Sequence, residues 1–360
     1  MIKKKKVAII GTVGLPANYG GFETMVKYLT KQKNEEYNFT VFCQKTPKTK
    51  QLREYNGCKL IYLPFKANGF QSIIYDVLSI IKSWFKYDTL LILGTPGCII
   101  LPVLNLFKNT KTIINFGGLE WARDKWGFIG KKYLKLTECL AIRYATDIVA
   151  DNQYFCNYIK ESYGKDSTLI EYGGDHIQKG AVSAELLNKY PFLNKPYDVS
   201  VSRAQTDNNL HLILEAYSKL PEKNFVLISN YDKFEYGRQL KKQYGNFSNL
   251  YLQDAVYNQD ELDIIRSNAD YYIHSHSFCG TAPSLVEAMN LGLPIISFDV
   301  PTNRFTTEEK AVFFESVEDL ISILKTTTDD KKSKIAESMK EIAYRRYTWK
   351  RISDKYAELF

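Results

Sequence analysis

Short apolar runs alternate with stretches of helical period from one end of this 360-residue chain to the other. Val7–Ile10 reads as a first strand, followed by a helix near 22–33, strands near 39–43 and 59–63, a helix near 70–86 and a strand at 89–93. A short helix near 98–107, a strand at 111–115, a helix at 130–144, a strand at 147–150, a helix at 152–163 and a strand at 167–171 complete the first half. This alternation specifies a parallel sheet with both faces covered by helices. Residues 173–196 are polar and carry Gly173, Gly174, Gly180, Pro191 and Pro196, so they read as an interdomain connection. A second alternating set opens at Asp198–Ser202 and continues through strands near 224–229, 249–253, 270–274 and 294–298. The fold class expected is α/β, with two doubly wound Rossmann-like domains (1–172 and 197–335) facing a central cleft. Ligands of such sheets sit at the carboxyl ends of the strands.

Two helical patterns carry more than packing information. In Phe70–Lys86 the apolar residues 70, 73, 74, 77, 78, 81, 84 and 85 share one face. That face is expected against the core; the alternative puts Lys82, Trp84 and Lys86 at a membrane surface. The tail from 331 to 360 is helical, with Tyr344, Tyr347, Trp349, Ile352 and Tyr356 as anchors. Spacing alone leaves open whether they pack on the second domain or on the first.

Composition narrows the class without naming it. Hydrophobic residues make up 45% and charged residues 24% of the chain, as in ordinary globular proteins. The apolar run Cys98–Leu104 is broken by Pro102 and falls well short of the ~20 residues that span a bilayer. Lys3–Lys6 precedes only a short apolar run, which reads as a first strand and not as a signal peptide. The six cysteines form no C-x-x-C pair, which argues for a reducing cytoplasm and against a disulfide frame or a zinc site. The net charge of +8 suits phosphorylated substrates or an anionic membrane face. No nucleic-acid module is recognisable, and the basic residues are spread out.

The chemistry concentrates in Ser277–Met289. This segment follows an apolar strand and opens a helix near Pro283, with Gly280, Thr281 and Ser284 at the turn. Unpaired N–H groups and the positive end of a helix dipole hold a phosphate there, unless Ser284 simply caps the helix. Glu287, one turn in, would repel that phosphate unless it accepts hydrogen bonds from ribose hydroxyls, so the ligand reads as a nucleotide-linked substrate. Arg203, at the end of the first strand of the second domain, can clamp a diphosphate. Tyr257 can lie along a nucleobase or merely pack.

The first domain has its own glycine loop, Gly11 to Gly21, leading into Phe22 and Glu23. It is not G-x-G-x-x-G, and the second strand ends Phe42-Cys43-Gln44 with no carboxylate for an adenosine ribose, so NAD is rejected. Nor is there a Walker lysine. Glu120, Trp121, Arg123, Asp124 and Trp126 occupy a loop after a strand, where aromatic faces and carboxylates suit a sugar acceptor. The competing reading is a salt-bridged loop over two core tryptophans. All four histidines lie beyond residue 170, which excludes a histidine base from the first domain, and no Asp-x-Asp is present to hold a metal-bound diphosphate.

These segments resemble one branch of the retaining GT-B glycosyltransferases that build bacterial surface polysaccharides, a branch that includes β-1,4-rhamnosyltransferases using dTDP-rhamnose. The resemblance is carried by Gly11–Thr24, Gly118–Trp126, Val149–Asn152 with Tyr172–Asp175, Ser202-Arg203 with Asp207–Asn209, and Gly280-Thr281 with Pro283–Met289 running to Pro301. It implies a GT-B fold whose last helices, 336–360, cross back to the first domain. It implies retaining, metal-independent transfer of a sugar, without a cofactor, from a dTDP-, UDP- or GDP-linked donor. The acceptor would be a saccharide on a polyprenyl diphosphate, at the cytoplasmic side of a membrane.

The catalytic residues so implied are Arg203, Glu120 and Asp124. Donor contacts fall on Gly14, Gly20, Gly21, Arg203, Asn208 and Tyr257, and on His276, Cys279, Gly280, Thr281, Ser284, Leu285 and Glu287. Acceptor contacts fall on Tyr19, Phe22, Glu23, Glu120, Trp121 and Arg123, and no metal site is expected. Many relatives have Arg at Val13, Asp at Gly117 and Gly at Cys279, which leaves both sugars open. A sugar-nucleotide epimerase or hydrolase of the same architecture, and a non-catalytic sugar-nucleotide-binding protein, remain alternatives.

Overall fold

The computed structural model describes residues 4–16, 20–45, 51–108, 110–123 and 126–360. The chain divides into two compact units, Met1–Tyr172 with Trp349–Phe360, and Gly173–Thr348. The first is built on β1 (Lys5–Ile10), β2 (Tyr37–Gln44), β3 (Glu54–Tyr55), β4 (Cys58–Leu63), β5 (Thr89–Leu93), β6 (Lys111–Asn115), β7 (Asp147–Ala150) and β8 (Thr168–Leu169). Their order in the sheet is β3-β4-β2-β1-β5-β6-β7-β8. All neighbours are parallel except the β3–β4 hairpin. Val7–Ile10 are wholly buried between β2 and β5, as a continuous apolar run should be in a sheet covered on both faces.

The second unit holds β9 (Tyr197–Val201), β10 (Asn224–Ser229), β11 (Leu250–Asp254), β12 (Tyr272–His274), β13 (Ile295–Phe298) and β14 (Val312–Phe314). The order is β11-β10-β9-β12-β13-β14, with every pairing parallel. Both sheets reverse strand order beside their first strand, the doubly wound topology expected from the alternation. The two-residue β3 and three-residue β14 escape the sequence reading, whereas the equally short β8 and β12 are read as parts of the longer runs 167–171 and 270–274.

The tail splits between the units. The Asp329–Arg346 helix stays in the second, and only the segment from Trp349 returns to the first. Trp349 stacks on Tyr28 with centroids 4.7 Å apart, Tyr356 Oη accepts from Asn115 Nδ2 at 2.7 Å, and Lys33 pairs with Asp354 at 2.8 Å. Tyr347, Trp349, Ile352 and Tyr356 are buried anchors, whereas Tyr344 is 83% exposed. Tyr344 occupies the outward turn of a helix that buries Ile335, Met339, Ile342 and Ala343 instead.

Two other expectations change. The Gln71–Trp84 helix buries Tyr75, Asp76, Ser79, Ile80, Ser83 and Trp84, and leaves Phe70, Ile74, Ile81 and Phe85 exposed. The face turned inward thus mixes large apolar residues, Tyr75, Ile80 and Trp84, with Asp76, Ser79 and Ser83. Ser79 and Ser83 satisfy their hydroxyls on carbonyls one turn back, at 2.7 Å each, so they enter the core without unpaired groups. Trp84 is likewise interior, its indole donating to the Lys108 carbonyl at 2.9 Å. Residues 173–196, read as a connection, pack on the second unit: the Gln178 amide donates to Asp263 at 3.0 Å and Lys189 pairs with Glu261 at 2.8 Å.

Candidate active site

In the second unit the site grows from the carboxyl ends of β9 and β12. Two loops leave these strands and are laced together. Ser202 Oγ and His276 Nε2 share a hydrogen bond of 2.8 Å, and both the amide and the hydroxyl of Ser277 donate to the Asp207 carbonyl, at 3.0 and 2.8 Å. Asn208 is buried and its Nδ2 donates to the Arg203 carbonyl at 2.8 Å. It therefore holds the turn that presents Arg203. The Arg203 side chain itself is exposed and pairs with no carboxylate among the described residues. A guanidinium so placed keeps its donors for a ligand.

The second loop ends in the Pro283–Asn290 helix, with Gly280 and Thr281 buried just before it. Proline stands at the first helical position and no side chain caps the helix. Helices starting after Asn152, Ser183, Asn258, Ser316 and Thr328 are each capped by that residue. Pro283 has no N–H and the Leu285 and Val286 amides both turn to the Ala282 carbonyl, so this uncapped start offers an anion the Ser284 amide and the helix dipole. The Leu285 amide is already bonded to the Ala282 carbonyl at 3.0 Å, and its side chain is fully buried. The Leu285 side chain is therefore a core residue and not the donor contact expected of it; the third helical position turns it inward.

Glu287 lies one turn into this helix with its side chain 14% exposed. Burial alone would push its carboxyl up, but the Arg266 guanidinium and His176 outweigh that and hold it at about 2. Arg266 Nη1 bonds Glu287 Oε2, and its Nη2 meets Asp263 Oδ1 at 2.7 Å. His176 Nε2 stands 3.3 Å from Glu287 Oε1. Each oxygen retains a second lone pair, so the carboxylate can still accept hydroxyls. Gly174 makes this arrangement possible: a Cβ there would sit 2.5 Å from Asn290 Nδ2 and 2.7 Å from the Val286 carbonyl.

Sequence reasoning missed Arg266 and His176. The signal available was an arginine beside Ile264 and Ile265 on the inward side of an amphipathic helix, three residues after Asp263.

His274, His276 and Cys279 offer ligand atoms all within 4.8 Å of one another, a grouping their sequence spacing does not disclose. His274 is buried beneath His276 with ring centroids 4.3 Å apart, and burial lowers its pKa to about 3, so it stays neutral. Tyr257 is 70% exposed in the loop after β11.

In the first unit, Gly11 and Gly14 have φ of +90° and +117°. A Cβ on Gly14 would fall 2.5 Å from Cys43 Sγ. Glu23, expected at the acceptor, turns back on its own loop: Oε1 accepts from Thr12 Oγ1 at 2.9 Å and from the Val13 amide at 2.8 Å. Gly20 has φ of +126°, which favours glycine, and a Cβ there would lie 2.0 Å from the other Glu23 oxygen. Gly21 begins the Gly21–Lys33 helix, and Phe22 comes within 3.2 Å of where a Gly117 Cβ would be. The positions of Gly117 and Phe22, far apart in sequence, thus meet.

Glu120 accepts from Trp126 Nε1 at 3.1 Å and pairs with Arg123 at 3.1 Å. Lys135 lies over the Trp121 ring at 4.7 Å. This loop is salt-bridged and half-buried, which supplies the competing structural role without removing it from solvent. Tyr19 and Asp124 lie outside the described residues.

Residues 184–346 match the family described as Glycosyl transferases group 1, and residues 4–175 match a Domain of unknown function (DUF1972). The architecture is the GT-B fold, and the matched domain in its second unit is that of the group 1 glycosyl transferases. Among solved structures, sucrose-phosphate synthase from Thermosynechococcus elongatus aligns with TM-score 0.82 at 14% identity, covering 99% of this chain and 98% of that one. Anabaena HepE in complex with UDP-glucose aligns with TM-score 0.78 at 16% identity, covering 98% of both chains. The catalytic domain of Arabidopsis thaliana starch synthase IV, bound to ADP and acarbose, gives 0.69 at 13% identity over 99% of both. At such identities the likeness is one of fold. No curated protein matches the sequence.

Proposed function

We propose that the chain transfers a sugar, with retention of anomeric configuration and without a metal ion, from a nucleotide-diphosphate sugar to a saccharide acceptor. The observation that carries this is the lacing of the exposed Arg203 turn to the loop that opens the uncapped Pro283 helix, through Ser202 and His276. One guanidinium and the positive end of one helix, with the Ser284 amide, then bear on the same diphosphate. The complexes of HepE with UDP-glucose and with UDP support a nucleotide sugar as donor. The base (thymine, uracil or guanine) is set by the loop bearing Tyr257, and Glu287 accepts from the ribose hydroxyls.

In the reaction the bond between the anomeric carbon and the diphosphate oxygen breaks, and the nucleoside diphosphate leaves with the electron pair. Arg203 and the helix start stabilise the charge that grows on it. The acceptor oxygen bonds the anomeric carbon from the same face and passes its proton to the departing phosphate oxygen. No enzymic nucleophile takes part. The acceptor lies on the first unit beside Phe22, Glu120 and Trp121; rhamnose as the sugar and a polyprenyl-diphosphate carrier in surface-polysaccharide assembly are its most specific form.

Arg203→Ala should lower kcat by about 10²–10³-fold with an unchanged unfolding midpoint. Transfer should persist in chelator, and NMR of the product should show the donor's anomeric configuration. Unchanged transfer by Arg203→Ala, or loss of transfer in chelator, would refute the site. Donor consumption without any acceptor would instead assign a hydrolase or epimerase.

A further inference from the structure

Fifteen large apolar side chains stand exposed among the described residues, and ten of them lie between Phe70 and Leu136. Such concentration is the mark of one surface and not of scatter. Phe70, Ile74, Ile81 and Phe85 are spaced four, seven and four residues apart along the Gln71–Trp84 helix and its ends, which makes one outward stripe. Leu106 and Phe107, after the short Leu101–Leu104 helix, are 83% and 74% exposed. Phe128 and Ile129, at the start of the Phe128–Tyr144 helix, are 73% and 84% exposed.

These segments are neighbours in the first unit. A Cβ on Gly97 would meet Asp76 Cβ at 2.4 Å, so the turn before Leu101 lies directly on the Gln71–Trp84 helix. Tyr133 of the third helix donates to the Pro96 carbonyl of that same turn at 2.8 Å. Trp84 Nε1 reaches the Lys108 carbonyl at 2.9 Å, which brings Leu106 and Phe107 to the Phe85 end. Phe70 meets Trp126, just before Phe128, edge-on at 6.0 Å.

Among the described residues, the charges that these helices expose have one sign, and Glu120, beside Trp126, is paired with Arg123. Lys82, Lys86, Lys108 and Lys132 are exposed on these elements, while the carboxylates the helices carry, Asp76 and Glu138, are buried. Asp88, beyond the stripe, accepts from the Lys6 amide at 2.8 Å. A second copy seated on this face would set lysine against lysine. A bilayer with anionic headgroups complements both the apolar tips and the cationic rim, the two signals that stable peripheral binding requires.

We propose that this face of the first unit docks on an anionic lipid bilayer, with Leu106, Phe107, Phe128 and Ile129 entering the headgroup region and the lysines resting on lipid phosphates. The proposal stands on the surface and not on the reaction. Vesicle flotation of the full chain tests it. Vesicles containing phosphatidylglycerol should capture the protein at least about tenfold better than phosphatidylcholine alone, since each lysine contributes roughly fivefold. The variant Leu106→Ser with Phe107→Ser and Ile129→Ser should lose capture by about tenfold or more. Lys82→Glu with Lys86→Glu should lose it by about 25-fold or more. Both variants should bind nucleotide sugar like the wild type, which shows that they are folded.

Absence of wild-type capture, or equal capture of all three proteins, would overturn the docking while leaving transfer to a soluble acceptor intact. A wild-type dimer dissolved by the triple serine variant would give the face to a second copy instead.

Discussion

Replacing Arg266 by methionine should unsettle the donor site from beneath. Arg266 is fully buried and divides its guanidinium between Glu287 and Asp263. Its loss leaves the buried Asp263 and the largely buried Glu287 without the guanidinium between them, with only His176 beside Glu287. Glu287 is held at about 2 against an ordinary 4.5, its burial outweighed by Arg266 and His176 together, which favours the ionised carboxylate by about 3 kcal/mol. Removing one partner of a buried pair costs roughly 3–5 kcal/mol, which agrees.

The sign follows from the depressed value. The contribution is complete above pH 4.5, where the unfolded chain is also ionised, and is lost as pH falls from 4.5 towards 2. Urea unfolding of wild type at several pH values should therefore show a falling limb in that window. Arg266→Met should be less stable by about 3 kcal/mol near neutrality, and its limb should flatten. Calorimetry should show weaker donor binding, because Glu287 either takes up a proton or swings away from the ribose. A variant as stable as wild type, with unchanged donor affinity, would refute both the buried-pair accounting and the positioning role of Arg266. The double variant with Glu287→Gln should lose less than the sum of the two single changes.

Two further outcomes follow from buried features. Asp76 is buried, and desolvation raises its carboxyl to about 8, so the native state keeps its proton while the unfolded chain gives it up. Stability should then fall as pH rises from about 4 to 8, by up to about 5 kcal/mol. Asp76→Asn should flatten that slope in thermal-melt midpoints; identical slopes would count against a buried neutral acid. Gly174→Ala should cost roughly 1–3 kcal/mol by urea titration, since the new methyl overlaps the Val286 carbonyl, and should weaken donor binding by moving His176. A silent substitution there would show that the glycine contact is slack.

Strand and helix positions were largely legible because period and burial coincide in long elements, as in Val7–Ile10 and Thr89–Leu93. Legibility failed where the buried face of a helix is not its most apolar one. The stripe of Phe70, Ile74, Ile81 and Phe85 reads as part of a core face together with Trp84, yet Tyr75, Asp76, Ser79, Ile80 and Ser83 join Trp84 in the core and the stripe stays outside. A hydrophobic pattern records the preference of side chains for leaving water, but it does not say whether the partner surface belongs to the same chain.

The candidate site divides in the same way. The sequence by itself determined the chemistry on offer: the Gly280–Ser284 turn, Glu287, Arg203, the glycine loop and the aromatic pair Trp121 and Trp126. Only the tertiary structure decided which of these stay available. Glu23 is spent on Thr12 and Val13, Asn208 on the Arg203 turn and Leu285 on the core, while Glu287 is held ionised by Arg266 and His176. The reason is that hydrogen bonds and ion pairs form between groups brought together by sheet order, across separations of 21 residues for Arg266 and Glu287 or 74 for Ser202 and His276. Such distances leave no period in a linear sequence.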